Sequence, residues 1–163
     1  MGDILKLLLF IEFLKSEAGF MFDVDRFEHR LMLQKYVYIA GRVFRLPLNY
    51  SYNMYLRGPY SPDLAEDYYK LSESHEAYTG DYRKDLTGFN GEKFLDLIEE
   101  KDAEWLEVGA TILSVYNRYR GRYFGYELAV RILSTSCDIK SSIESTKISD
   151  VFEYLKNESL LIV

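Results

Sequence analysis

Cysteine is almost absent. Cys137 stands alone in 163 residues, so no disulfide can form within the chain. That usage is typical of a reducing interior, and the protein is expected in the cytoplasm. Histidine is scarce too, with only His29 and His75. Together with Cys137 these are too few, and too far from ligand spacing, for a zinc site. A Cys–His nucleophile pair would need Cys137 to meet one of the histidines across the fold, and an inert thiol on an apolar helix is the simpler expectation. Neither Gly-x-Gly-x-x-Gly nor Gly-x-x-x-x-Gly-Lys-Ser/Thr occurs, so no phosphate loop is expected. The acidic neighbours Glu66-Asp67 and Glu99-Glu100 point apart on a helix and make no ready acid–base pair. The expectation is a protein without enzyme activity, cofactor or metal.

Positive charge is also in deficit. Twenty lysines and arginines face 26 acids, for a net charge of −6, which disfavours a protein held to nucleic acid mainly through phosphates. Long apolar runs are lacking. Leu7 to Ile11 is far too short to span a bilayer and is flanked by Lys6 and Glu12. Asp3 and the lack of a small-residue cleavage site argue against a leader. No membrane partner is expected.

What is present is a globular composition, 48% hydrophobic and 28% charged, in a length that suits one compact domain or two small ones. Fifteen tyrosines are unusual. Tyrosine buries a ring and keeps a polar tip, so it suits core edges and interfaces.

The least generic stretch runs from Tyr50 to Leu71. Tyr50, Tyr52, Met54 and Leu56 alternate with Ser51, Asn53, Tyr55 and Arg57 at strand spacing. Gly58-Pro59 is expected to break that strand. Ser61 is expected to cap a helix with Pro62 at its first position and Asp63 in its first turn. Leu64, Tyr68 and Leu71 form its apolar stripe.

Before this stretch, a helix is expected from Asp3 to about Glu17, too apolar to pack on one side only. A second runs from about Arg26 to Val43 behind an Asp25/Glu28 capping box. Glu28, Lys35 and Arg42 recur every seven residues and read as a solvated edge, with a partner contact at Lys35 as the functional alternative. After it, Tyr78-Thr79-Gly80-Asp81-Tyr82 reads as a hairpin turn, followed by a helix over Gly91 to Ile98. Helix, helix, short strand, capped helix, hairpin and helix is the order of a winged helix. The acidic run Glu92 to Glu107 reads as a solvated junction. Helices follow over about Ala103–Tyr119, Tyr126–Ser136 and Ile148–Leu155, with a polar loop from Asp138 to Thr146. The expected fold is therefore mainly α (α+β): a winged-helix-like N-terminal region with a small β-hairpin over residues 1–100, packed with a C-terminal helical region over 101–163 that shares its core.

Two segments carry a resemblance. Leu33-Gln34-Lys35-Tyr36-Val37-Tyr38-Ile39-Ala40 is similar to the Leu-Gln-Lys-x-x-Tyr-x-Ala helix of the Panacea (SocA-like) antitoxin domains. Tyr55-Leu56-Arg57-Gly58-Pro59-Tyr60-Ser61 resembles the Gly-Pro-Tyr-Ser corner of the related YwgA-type proteins. The resemblance covers roughly Ile4 to Ile98. It implies a mostly helical, cofactor-free intracellular domain that binds and neutralises a partner protein such as a toxin. By position, it implies partner contacts at Lys35, Tyr38, Arg57, Gly58, Pro59, Tyr60 and Ser61. Gly58, Pro59 and Ser61 also have full structural explanations.

The best nucleic-acid signal is Arg118, Arg120 and Arg122, interleaved with Tyr116, Tyr119, Tyr123 and Phe124, although a helix end whose dipole favours cations, with the rings packing inward, is the simpler expectation. Arginines there would meet phosphates while Tyr119 and Tyr123 stack on bases. Against it, the helix in the recognition position opens with Asp63, Glu66 and Asp67, which phosphates would repel. A protein-interaction module is the favoured reading, a DNA- or RNA-binding regulator the alternative, and a homodimer is left open.

Overall fold

A computed structural model describes residues 3–74 and 80–163. The protein is mainly helical with a small two-stranded antiparallel sheet. In chain order, α1 spans Asp3–Ala18 and α2 Phe27–Val43. Strands β1 (Asn53–Tyr55) and β2 (Gly58–Tyr60) follow, then α3 Pro62–Glu73, the short α4 Tyr82–Asp85, α5 Gly91–Ile98, α6 Ala103–Tyr119, α7 Gly125–Ile139 and α8 Ser145–Asn157. No described helix is long and apolar enough to cross a membrane. The chain divides into two compact units. One is Met1–Asn53 with Ser61–Lys101, and the other is Met54–Tyr60 with Asp102–Val163. The β1–β2 hairpin lies within residues 1–100 in sequence but belongs by packing with the last three helices.

The first unit is built around α2. Leu33 through Ala40 are buried without a break, so the middle of this helix is covered on every side. Lys35 is included, at 1% exposure. The expected solvated edge is therefore corrected: Glu28 and Arg42 are exposed but Lys35 is core. The fully buried Leu7, Leu9, Phe10 and Leu14 of α1 join this core, with Leu64 of α3 and Phe94 of α5. Phe10, Phe13, Phe89 and Phe94 form a ring cluster with centroids 5.2–6.4 Å apart. The expected Asp25/Glu28 capping box is absent. The N-cap is Arg26 and no side chain caps it. The entry loop is fixed instead by His29 Nδ1, which accepts from the Asp23 amide at 3.0 Å, and by Arg30, which donates to the Val24 carbonyl at 2.6 Å.

Between α2 and β1 the chain is extended but outside the sheet. Leu46, Leu48 and Tyr50 are buried while Arg45, Asn49 and Ser51 are exposed, the alternation of a strand without its ladder. Gly58-Pro59 does not break a strand; it opens β2. The turn lies at Leu56-Arg57, and Gly58, with φ 90°, takes the left-handed step that follows it. The described hairpin thus precedes α3 rather than following it. At the expected wing, His75, Tyr78 and Thr79 lie outside the described residues, while Asp81 accepts from the Arg83 amide and caps α4.

The cap of α3 matches expectation: Ser61 Oγ accepts from the Leu64 amide at 3.2 Å, with Pro62 at the first helical position. A second device at this corner gives no sequence signal. The Gln34 side-chain amide donates to the Ser61 carbonyl and its oxygen accepts from the Ser61 amide, both at 2.9 Å. Gln34 is 1% and Ser61 0% exposed. A side chain of α2 thus pairs with the main chain at the start of α3 as a neighbouring strand would.

In the second unit, α6, α7 and α8 enclose Leu106, Ile112, Ile132, Ile148, Phe152 and Leu155. Asp102 caps α6 by accepting from the Trp105 amide at 2.8 Å. Glu107, expected in a solvated junction, is buried in α6. Lys140, expected in a polar loop, is buried at the end of α7, which runs on to Ile139. The two form an ion pair at 2.5 Å, and Lys140 Nζ also donates to the Leu56 carbonyl at 2.9 Å. This buried pair anchors the hairpin turn to the helices of its own unit.

Two predictions follow from these buried polar contacts. Gln34→Leu leaves the buried N–H of Ser61 unpaired and takes one of two donors from the Ser61 carbonyl, which keeps the Ala65 amide at 3.1 Å; the expected loss is about 1–3 kcal/mol in urea unfolding. Gln34→Glu should be no better near neutral pH, because a buried carboxylate oxygen would replace the amide nitrogen that now faces the Ser61 carbonyl oxygen at 2.9 Å. A loss below about 0.5 kcal/mol for Gln34→Leu would show that the clamp does not hold the corner. For the ion pair, Lys140→Met strands the Glu107 carboxylate and should cost about 3–5 kcal/mol. Adding Glu107→Leu should recover part of that loss. Simple additivity in the double-mutant cycle would mean the two groups act independently.

Candidate functional site

The residues singled out by the resemblance are mostly interior. Lys35 and Tyr38 are buried on α2, Gly58 and Pro59 are buried in β2, and Ser61 is the buried cap of α3. Tyr38 sits edge-on to Tyr52, with centroids 5.0 Å apart, and Arg42 lies 5.7 Å from its ring centre. The structure brings the two motifs together through a residue the sequence reading passed over: Gln34 of the helix motif holds Ser61 of the corner motif.

Arg57 is exposed at the hairpin turn, and Tyr60 is half-buried with its ring edge-on to Tyr55 at 5.4 Å. At this tip Tyr55 is 48% and Leu56 84% exposed. The Leu56 side chain projects while its carbonyl is held by Lys140 from within the unit. Buried Gly58 and Pro59 root the turn. The motif residues thus act as the frame of a projecting tip, and Leu56, absent from the sequence-based site, is the side chain that frame displays.

The second exposed surface is the α6–α7 corner. Arg118, Arg120 and Arg122 are all exposed. The corner backbone is tied by hydrogen bonds donated by the Arg120 amide to the Tyr116 carbonyl (2.8 Å) and by the Arg122 amide to the Tyr119 carbonyl (3.1 Å). Gly121, at φ 85°, makes the reversal between them. The tyrosines expected to stack on bases are already engaged. Tyr119 shares a hydrogen bond with Thr135 at 3.1 Å, and Arg131 lies over the Tyr123 ring at 3.8 Å. The rings left open are Phe124 at 73% and Tyr126 at 86% exposure. Inward packing is the simpler expectation for all the rings of this cluster; it fails at Phe124, and Tyr126 was passed over, because periodicity does not tell an inward ring from an outward one beside a glycine turn.

A groove of about 390 Å³ in the first unit is walled by Phe13, Tyr82, Leu86, Phe89 and Leu95. Three of its polar groups satisfy one another: Glu17 accepts from Tyr82 at 2.7 Å and from Arg83 at 2.9 Å, while Glu92 at the edge is exposed. Those bonds hold the Glu17 carboxyl below its usual range and raise the Tyr82 hydroxyl. The groove therefore offers a ligand few free polar groups and reads as a packing cleft. No group of three or more candidate metal ligands exists among the described residues. Cys137 is half-buried, and burial, then Asp138, pushes its thiol upward, away from the reactive thiolate. Asp67 on α3 accepts from the Tyr50 hydroxyl at 2.7 Å, so one acid of the expected recognition helix is held from inside.

No protein-family model, curated protein or solved structure matches the chain.

The buried tyrosines give an alkaline prediction. Burial pushes the Tyr36 hydroxyl up to about 12, from an ordinary 10.0. Burial also raises Tyr50, helped by its bond to Asp67, and Tyr52, whose buried hydroxyl has no hydrogen-bond partner among the described residues. The native state keeps these protons where the unfolded chain loses them. Their stabilisation is therefore complete below pH 10 and declines as pH rises from there through about 12. Urea midpoints measured alongside tyrosinate absorbance should hold up to about pH 10 and then fall. A midpoint that did not fall across this window would mean these hydroxyls reach water.

Proposed function

We propose that this protein is a non-enzymatic protein-interaction module, antitoxin-like in binding and neutralising a partner protein, with the hairpin tip as its contact. The observation that carries the reading is the tip itself: an 84% exposed leucine on a turn whose carbonyl is bonded by a buried lysine. A fixed apolar projection loses little conformational freedom on docking, which is how a small contact gains affinity. The Panacea-like and YwgA-like segments support the same reading, since the corner motif frames the tip. The partner is expected to be an intracellular protein, such as a toxin, with an apolar pocket that takes Leu56.

Nucleic-acid binding at Arg118, Arg120 and Arg122 is the second reading, favoured by their exposure. It ranks lower because Tyr119 and Tyr123 are already engaged and the chain carries a net charge of −6.

Co-purification from native lysate, split into nuclease-treated and untreated halves, tests the proposal. Wild-type protein should retain the same partner in both halves, and Leu56→Asp should lose it while melting at the wild-type temperature. Co-expression should relieve any growth arrest that partner causes. Capture unaffected by Leu56→Asp would remove the hairpin tip from the interface. Capture abolished by nuclease would move the function to nucleic acid.

A further inference from the structure

The α6–α7 corner combines features that packing alone does not require. Three arginines and two large rings are exposed within nine residues, Arg118 to Tyr126. No side-chain partner is present among the described residues for the guanidinium of Arg118 or Arg122, whereas Arg131 nearby is matched by Glu127 at 3.3 Å and by the Tyr123 ring. The turn bonds and the Tyr119–Thr135 hydrogen bond hold the backbone that carries them. Arginine and aromatic rings are the residue types that anchor interfaces, and free guanidiniums pair in bidentate fashion with carboxylates or phosphates.

We infer that this corner docks an acidic peptide segment, with carboxylates on Arg118 and Arg122 and an apolar side chain between them against Phe124. This goes beyond the hairpin-tip reading and does not depend on it. Charge decides the class of occupant. The cations form a short island on a chain of net charge −6. A nucleic-acid strand needs a cationic track for at least about four nucleotides, and beyond the island its phosphates would meet a net repulsive field. An acidic segment needs only two or three carboxylates in register. The open rings also match a side chain better than a series of bases, because Tyr119 and Tyr123 are no longer available as successive stacking platforms.

The test uses the full chain and three fluorescein-labelled probes: the peptide Asp-Glu-Phe-Glu-Glu, its counterpart with lysine at every acidic position, and an oligouridine. Anisotropy is read at low and at physiological salt. Saturable binding of the acidic peptide alone is expected. It should weaken at least about tenfold in Arg118→Ser/Arg122→Ser, roughly one lost charge-assisted contact, and severalfold in Phe124→Ser. These positions are exposed, so circular dichroism should show the fold retained. Three results would overturn the inference: no saturable binding of the acidic peptide, binding indifferent to Phe124→Ser, or tighter binding of oligouridine through the same arginines. The Leu56→Asp readout is separate, so failure at the corner leaves the hairpin-tip proposal standing, and the reverse also holds.

Discussion

The corner before α3 depends on one side chain. Gln34 holds both main-chain groups of Ser61, and Ser61 in turn caps α3. Ser61 is fully buried, so water cannot take over for either partner. An amide meets this need because it offers a donor and an acceptor on two adjacent atoms; a carboxylate only accepts, an ammonium only donates, and a hydroxyl does both from a single oxygen. The neighbouring apolar residues on α2 can exchange shape for shape, but position 34 is defined by a hydrogen-bonding pattern. The Leu-Gln-Lys helix and the Gly-Pro-Tyr-Ser corner therefore occur together in this chain for a physical reason: one supplies the clamp and the other the backbone it grips.

Much of the helical framework was legible. The helices from Asp3, to Val43, from Pro62 and over Ala103–Tyr119 followed from periodicity and end signals, because local backbone preference and one-sided burial act within a few residues. The Ser61-Pro62 start was readable for the same reason. What escaped was long-range and polar. Nothing near Lys140 indicates that it will meet Glu107, 33 residues away, or the Leu56 carbonyl, 84 residues away. Both were assigned to solvent because charged residues usually are. Lys35 was misplaced by the same prior. The strand β2 was missed for a different reason: Gly58-Pro59 is a breaker by composition, yet a three-residue strand in a two-stranded sheet has room for a proline without a donor.

The candidate surfaces were partly legible. Arg118, Arg120 and Arg122 were identified by their clustering, and all three are exposed. The inward packing expected of the rings that accompany them holds for Tyr119 and Tyr123 and fails at Phe124. Tyr119 and Tyr123 follow the helix end inward, whereas Phe124 and Tyr126 sit where the chain has turned and face solvent. A sequence identifies an arginine–aromatic corner, but the turn at Gly121 decides which rings are free.

The buried Lys140–Glu107 pair bears on function through what it leaves undone. Desolvating two charges is costly, and a pair of this kind adds little net stability over apolar residues of the same size. A methionine at 140 would pack, but it would offer nothing to the Leu56 carbonyl. The ammonium supplies that donor, and the carboxylate holds the ammonium in place. The contact therefore gives the hairpin turn a fixed position at little gain in stability, which is the trade expected where a loop must hold one shape to be recognised. Leu56 on that turn is nearly free of protein contact, so the precision of its support has no counterpart in the packing of the chain itself. A binding partner is the simplest reason for a solvent-facing leucine to be held from below by a buried charge.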